Sequence, residues 1–277
     1  MRRYFPVLTI AGSDSSGGAG IQADIKTISA IGCYGMSAIT SITAQNTTGV
    51  KSVQPILPSI VADQIEMVFN DIPPLAVKTG MLCDASITAT VAEMLDRFRP
   101  ANIVVDPVMV STSGSRLLDD DAIQTLTSRI FPLATIVTPN RHEAEALTGT
   151  TDIDLQVKRL RKLGCRNILL KGGDSDSRDF KTDILALEDD DEFITLRADA
   201  IDTTNTHGTG CTLSSAIASY LALGDSLTDA VSRAKLYVTR ALEAGAFITI
   251  GHGHGPVNHF FAPRRLKNHN PNKPNRP

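Results

Sequence analysis

The chain has 277 residues, is 42% hydrophobic and 21% charged, and carries a net charge of -3. That is ordinary for a globular protein with a sizeable core, and it leaves no basic surplus for a nucleic-acid backbone. No apolar run approaches the roughly 20 residues that cross a membrane, and the start, Arg2-Arg3 and then a short strand-like run, lacks the features of a secretory signal. Cys33, Cys83, Cys165 and Cys211 are far apart and unpaired by spacing, so they read neither as a disulfide framework nor as a zinc site, and they suit a reducing cytoplasm.

Strands and helices alternate along the chain. Val7 to Ala11 is a short apolar strand ending in glycine, and Gly20 to Ile31 reads as a helix, with Ile21, Ile25, Ile28 and Ile31 at helical spacing and Gly32 closing it. Gly35 to Thr43 reads as a strand, Pro58 to Asn70 as a helix, Leu75 to Thr79 as a strand and Asp84 to Phe98 as a helix. Asn102 to Asp106 and Ala134 to Val137 are further strands, the second followed by a helix that Asn140 can cap. Asp152 to Leu163 is helical with Gly164 as its stop, and Asn167 to Lys171 is the next strand. Thr182 to Ala186 and Glu192 to Leu196 then read as a hairpin around the acidic turn Glu188 to Asp191. Two long helices follow, Gly210 to Leu223 and Ser226 to Ala244. Residues 1–262 read as one domain, and the polar stretch 263–277 reads as a disordered tail.

This alternation predicts an α/β fold, a mostly parallel central sheet with helices on both faces, and ligands beyond the carboxyl ends of the strands. Clusters at predicted strand ends gather on that rim: Gly12-Ser13-Asp14, Lys78-Thr79-Gly80, Asp106-Pro107, Pro139-Asn140 and Lys171-Gly172-Gly173. The second strand and its continuation through Thr47-Thr48-Gly49-Val50 suggest a small β flap over it.

The most telling stretch is Asn205-Thr206-His207-Gly208-Thr209-Gly210-Cys211-Thr212. Its glycines free the backbone to wrap a ligand, and the helix that starts there directs unpaired N–H groups at it, which makes an anion site. Cys211 sits at the same helix start, where a thiolate is stabilised below its usual value of about 8.5. Phosphate cradle and proton acceptor in one turn suggest phosphoryl transfer; a small residue packing a helix start is the plain alternative. Gln45 can donate and accept through one amide, as a heteroaromatic edge requires, or it caps a strand end. Asp24 lies one helical turn after Gly20, so both can face a substrate, or Asp24 is a solvated helix carboxylate. Met81 packs on a ring or in the core. Lys171 meets phosphate as a point charge or is a solvated strand end. His207 has no evident orienting carboxylate and reads as a loop residue. Gly251-His252-Gly253-His254-Gly255 reads as a flexible loop near the nucleotide end rather than a metal site.

Several strings in this order carry a family resemblance. They are Leu8 to Thr27 with Gly17-Gly18-Ala19-Gly20, Ala44-Gln45-Asn46-Thr47, Lys78-Thr79-Gly80-Met81-Leu82, Asp106-Pro107-Val108-Met109, Thr138-Pro139-Asn140, Lys171-Gly172-Gly173 and Thr206 to Ser214. Over about residues 7–262 the chain resembles the hydroxymethylpyrimidine/phosphomethylpyrimidine kinases of thiamine biosynthesis, within the ribokinase-like superfamily. The resemblance implies a cytoplasmic, homodimeric kinase that uses ATP and Mg²⁺, leaving a monovalent cation open. It would phosphorylate 4-amino-5-hydroxymethyl-2-methylpyrimidine and then its monophosphate. It places Gln45 at the pyrimidine and makes Cys211 the base, and beside Gln45 the residues themselves suggest Asp24, Gly12, Gly20 and Met81 as further substrate contacts. Gly208, Thr209 and Gly210 then hold the γ-phosphate, Asp106, Asn140, Lys171 and Thr209 the nucleotide phosphates, and Glu143 with Asp106 the metal. Asn140-x-x-Glu143 matches the superfamily pattern, although Glu143 also fits a capping box. Pyridoxal kinase activity is the nearest rival. A cysteine hydrolase would need a third member beside Cys211 and His207 or His254. A nicotinamide dehydrogenase fails because Gly12 to Gly20 lacks the G-x-G-x-x-G spacing, and a non-catalytic nucleotide-binding regulator leaves Cys211 and Gln45 without a purpose.

Overall fold

The computed structural model describes residues 2–109, 118–172, 179–188, 190 and 192–269. In chain order these form β1 (Arg3–Tyr4), β2 (Pro6–Asp14), α1 (Gly20–Ile31), β3 (Tyr34–Asn46), β4 (Gly49–Pro55), α2 (Pro58–Asp71), β5 (Ala76–Thr79), α3 (Ala85–Phe98) and β6 (Ile103–Val105). Then come α4 (Asp120–Thr125), β7 (Ile136–Val137), α5 (Arg141–Thr148), α6 (Ile153–Lys162), β8 (Ile168–Leu170), β9 (Phe180–Ala186), β10 (Ile194–Asp199), α7 (Thr209–Ala222), α8 (Leu227–Gly245) and β11 (Asn268–His269).

Nine strands make one sheet in the order β10-β9-β8-β7-β6-β5-β2-β3-β4. From β8 to β3 every pairing is parallel, and antiparallel β4 and the β9–β10 hairpin close the two edges. Period-two alternation sorts each strand between two cores. Leu8, Ile10, Val77 and Val105 pack with α2 to α6, whereas Val7, Ala76, Val104 and Leu169 pack with α1, α7 and α8. Both faces are covered, so the central strands read as continuous apolar runs. The ribokinase-like α/β expectation holds.

The structure adds three things to the sequence reading. First, residues 120–133 are helical: α4 runs into a π turn over Leu126–Ile130 and a 3₁₀ turn over Phe131–Leu133. The signal was present, because Asp119 caps α4 by accepting from the Ala122 N–H, and Ala122, Leu126 and Ile130 are buried at helical spacing. Second, the flap is no separate sheet; it is the β3–β4 hairpin continuing the main one. Third, the expected tail is ordered through residue 269. The Arg264 N–H donates to Ala30 O and the Lys267 N–H to Gly32 O, each at 2.8 Å, and β11 pairs with β1. Gly32 allows this, since a Cβ there would meet Arg265 O at 2.8 Å. Gly173, Asp189, Asp191 and residues 270–277 lie outside the described residues.

Candidate active site

The carboxyl ends of the strands surround one cavity of about 170 Å³. Gly12, Gly20, Gln45, Met81, Asp106, Asn140, Glu143, Lys171, Gly208, Thr209, Gly210 and Cys211 all line it. Asp24 does not.

At the start of α7, Gly208 has φ +79°, and a Cβ on it would stand 1.9 Å from Gly18 O. Only glycine lets the two loops meet. Thr209 N–H is taken by Thr206 O and Thr212 N–H by Gly208 O. Between them, the Gly210 and Cys211 N–H groups have no acceptor among the described residues, so this helix start faces the cavity with two donors and its positive end.

The turn ahead of α1 touches this loop and is already occupied. Asp14, nearly buried, accepts from the N–H groups of Ser16, Gly18 and Ala19 and from the Ser16 hydroxyl. His207 Nε2 lies 2.8 Å from Asp14 Oδ2. Burial alone would raise this carboxyl, but His207, Ser16 and Ala19 hold it well below the usual carboxylate range. The expectation that His207 lacks an orienting carboxylate is therefore overturned. The partner lies 193 positions away and no local pattern announces it. Gln45 Nε2 approaches the same ring nitrogen at 3.4 Å.

The backbone at Gly20, where α1 begins, acts to lower the Cys211 thiol. The thiol is nevertheless not acidic. Burial pushes it up to about 11; Lys78 pulls it down, and Asp24 and Asp106 push it back up. The expected lowering at a helix start loses to desolvation and two carboxylates.

Asp24 is a second correction. It is fully buried behind the cavity and holds Lys78 Nζ with both oxygens, at 2.9 and 2.8 Å. Ser215 Oγ donates to its Oδ1 and Thr9 Oγ1 to its Oδ2, each at 2.6 Å. Every acceptor direction is taken inside the protein, so no pyrimidine reaches it.

On the far side, Asp106 accepts from Lys171 Nζ at 2.8 Å and from Ser214 Oγ at 3.2 Å. Burial opposes its charge, but Lys171 and Lys78 keep the carboxyl low. Glu143 completes the capping box with Asn140: its Oε2 accepts the Asn140 N–H at 2.8 Å while Asn140 Oδ1 accepts the Glu143 N–H at 2.9 Å. Burial pushes the Glu143 carboxyl up to about 7, with Lys171 pulling down and Asp106 pushing up.

At the other end, the Gly12 N–H donates to Met81 O, and a Cβ on Gly12 would meet Ser41 Oγ at 2.7 Å and Met81 Sδ at 3.3 Å. Ser15 Oγ fixes the Gln45 backbone by donating to its C=O and accepting its N–H. The Gly251 to Gly255 loop is bound rather than free: Thr47 Oγ1, at the hairpin turn, accepts the His252 and Gly253 N–H groups at 3.2 Å. Among the described residues no three His, Cys, Asp or Glu side chains cluster as a metal site.

The phosphomethylpyrimidine kinase family model matches residues 14–258. The chain belongs to that family. As a member it is a phosphotransferase. It is 47% identical over 259 residues to the hydroxymethylpyrimidine/phosphomethylpyrimidine kinase of Rhizobium meliloti, covering 91% of this chain and 96% of that one. It is 49% identical to the thiamine biosynthesis bifunctional protein ThiED of Geobacter sulfurreducens, where it covers 94% of this chain but 54% of that longer protein. Among solved structures, phosphomethylpyrimidine kinase of Clostridium difficile superposes with a TM-score of 0.75 at 48% identity, covering 86% of this chain and 99% of that one. Pyridoxal kinase of Bacillus subtilis, in an ADP complex, superposes with a TM-score of 0.84 at 34% identity, covering 93% and 98%. No helix among the described residues is long and apolar enough to cross a membrane.

Proposed function

We propose that this family member transfers the γ-phosphoryl group of ATP to the hydroxymethyl oxygen of 4-amino-5-hydroxymethyl-2-methylpyrimidine, and then to the resulting monophosphate, in thiamine biosynthesis. The carrying observation is one cavity that holds an open helix start, Cys211 and the Gln45 amide together. Gln45 pairs with the amino and ring-nitrogen edge, while Gly12 and Met81 shape the ring pocket. Gly210 and Cys211 turn their open backbone N–H groups on the transferring phosphoryl, Gly208 and Thr209 shape the loop that presents them, and Lys171 and Asn140 lie on the nucleotide side.

Asp106 and Glu143 offer two carboxylates on one wall. That suits Mg²⁺, which takes one or two carboxylates and completes its shell with water and substrate phosphates. When bound with ATP the ion neutralises phosphate charge. The acceptor oxygen bonds to the γ-phosphorus as the bond to ADP breaks, and the hydroxyl proton passes to the Cys211 sulfur. With a thiol raised to about 11, only a minor thiolate fraction is ready at neutral pH. The reading includes a cytoplasmic homodimer.

Pyridoxal is the competing acceptor, because pyridoxal kinase structures superpose closely. Supplying both acceptors with ATP and following each product by mass decides between them. Hydroxymethylpyrimidine should be preferred by about tenfold or more, with two phosphates added in sequence. Exclusive turnover of pyridoxal would reverse the assignment.

A further inference from the structure

Lys78 takes no part in the scheme above, yet it is the most unusual side chain beside the cavity. It is fully buried in the middle of a parallel sheet and forms part of the cavity floor with Cys211. A buried ammonium needs strong compensation. Asp24 supplies it from the rear, itself saturated by Thr9 and Ser215. Ser215 lies one turn behind Cys211 on α7, so the pair is braced against the helix that carries the reacting group. Two of the three Lys78 N–H groups are spent on the Asp24 oxygens, and among the described residues no acceptor takes the third. The ion pair is oriented: the cation lines the cavity and the carboxylate does not. Gly80 leaves the ammonium its room, since a Cβ there would stand 2.8 Å from Nζ.

The cavity thus has a cation at each end of the transfer path. Lys171, held by Asp106, lies on the nucleotide side, and Lys78, held by Asp24, lies beneath Cys211 on the acceptor side. The two proposed reactions make different demands there. In the first the acceptor is a neutral hydroxyl. In the second it is a phosphate monoester, whose anionic oxygen must approach an anionic γ-phosphoryl group. We infer that the Lys78 charge serves the second transfer: held just beneath the cavity floor and shielded from solvent, it offsets that repulsion electrostatically without touching the acceptor phosphate. No proton leaves Lys78. A phosphate oxygen of the monoester bonds to the γ-phosphorus, the bond from that phosphorus to the ADP oxygen breaks, and the electron pair departs with ADP. The titratable groups that face Lys78 are Asp24 on α1, Cys211 on α7 and Asp106 after β6, and burial of the ammonium is outweighed chiefly by the two carboxylates, the Cys211 thiol being neutral at neutral pH.

This inference rests on the kinase reading, and a comparison of the two half-reactions separates them. Lys78→Met keeps the volume and removes the charge; Lys78→Met combined with Asp24→Asn also removes the stranded carboxylate, in case the single variant folds poorly. With ATP and each acceptor in turn, kcat/KM for the monophosphate should fall by about 10³-fold and for the hydroxymethyl compound by about tenfold. A merely structural lysine would lower both alike, and that result in either folded variant overturns the inference, as does an unchanged rate on the monophosphate. Wild-type protein that phosphorylates neither acceptor overturns the kinase reading instead.

Discussion

Two helix starts adjoin at this cavity, and the turns that lead into them are built alike but used differently. Both follow a glycine of positive φ, Gly17 before α1 and Gly208 before α7. In the turn ahead of α1 the Gly18 and Ala19 N–H groups are taken by the protein's own carboxylate, Asp14, while at α7 two N–H groups are left for a ligand. An anion-binding terminus is therefore not a property of helix and glycine alone. It depends on whether the fold supplies an internal anion first. Asp14 fills the turn ahead of α1 and, through His207, braces the loop that leads into α7.

The sharpest way to break this contrast is Gly208→Ala. Its Cβ would collide with Gly18 O, so the loops must part, and turnover should fall by about 10³-fold or more, with loss of thermal stability. Steady-state kinetics and a melting curve check both parts. Next in size is Cys211→Ala, expected to cost about 10²- to 10³-fold in kcat. Because burial puts the thiol up to about 11, wild-type kcat/KM should climb about tenfold per pH unit between pH 7 and 10, and the variant should lose that slope. A flat wild-type profile removes the base role and leaves the backbone donors.

Asp14→Asn removes the carboxylate from the turn ahead of α1 and should cost about 2 kcal/mol at neutral pH. The wild-type carboxyl is depressed in the fold, so its contribution is complete above the unfolded value of about 3.9 and is lost as pH falls below it. Unfolding curves from pH 7 to 2 should therefore hold a constant gap down to about pH 4 and show it narrowing below that. The smallest effect belongs to Gly17→Ala. The φ of +80° is the same kind of strain as at Gly208, but the new Cβ meets only the flexible tip of Lys26. A loss of about 1 kcal/mol with near-normal turnover is expected, and a collapse of activity would mean the α1 start also carries substrate.

What the sequence made legible was local. α1 could be read to the residue because its isoleucines recur at helical spacing and Gly32 ends it, and the capping box of Asn140 and Glu143 was visible as a three-residue step. What it hid was long-range. Asp24 looked substrate-facing from its place one turn past Gly20, but its partner Lys78 is 54 positions away. His207 looked unoriented because Asp14 belongs to the first long strand of the sheet. The Cys211 thiol departs from the local expectation for the same reason: a helix start is a local cue, whereas burial and the charges of Asp24, Lys78 and Asp106 come from the assembled fold.

The pairing of β1 with β11 also sets where the polypeptide can be extended. Arg3 and His269 are register partners, just ahead of the amino-terminal end of β2, while the cavity lies beyond its carboxyl-terminal end. Entry and exit of the chain thus share one side of the sheet and chemistry occupies the other. A second catalytic unit joined at either point would hang from the base of the molecule, leaving the mouth through which nucleotide and acceptor arrive unobstructed.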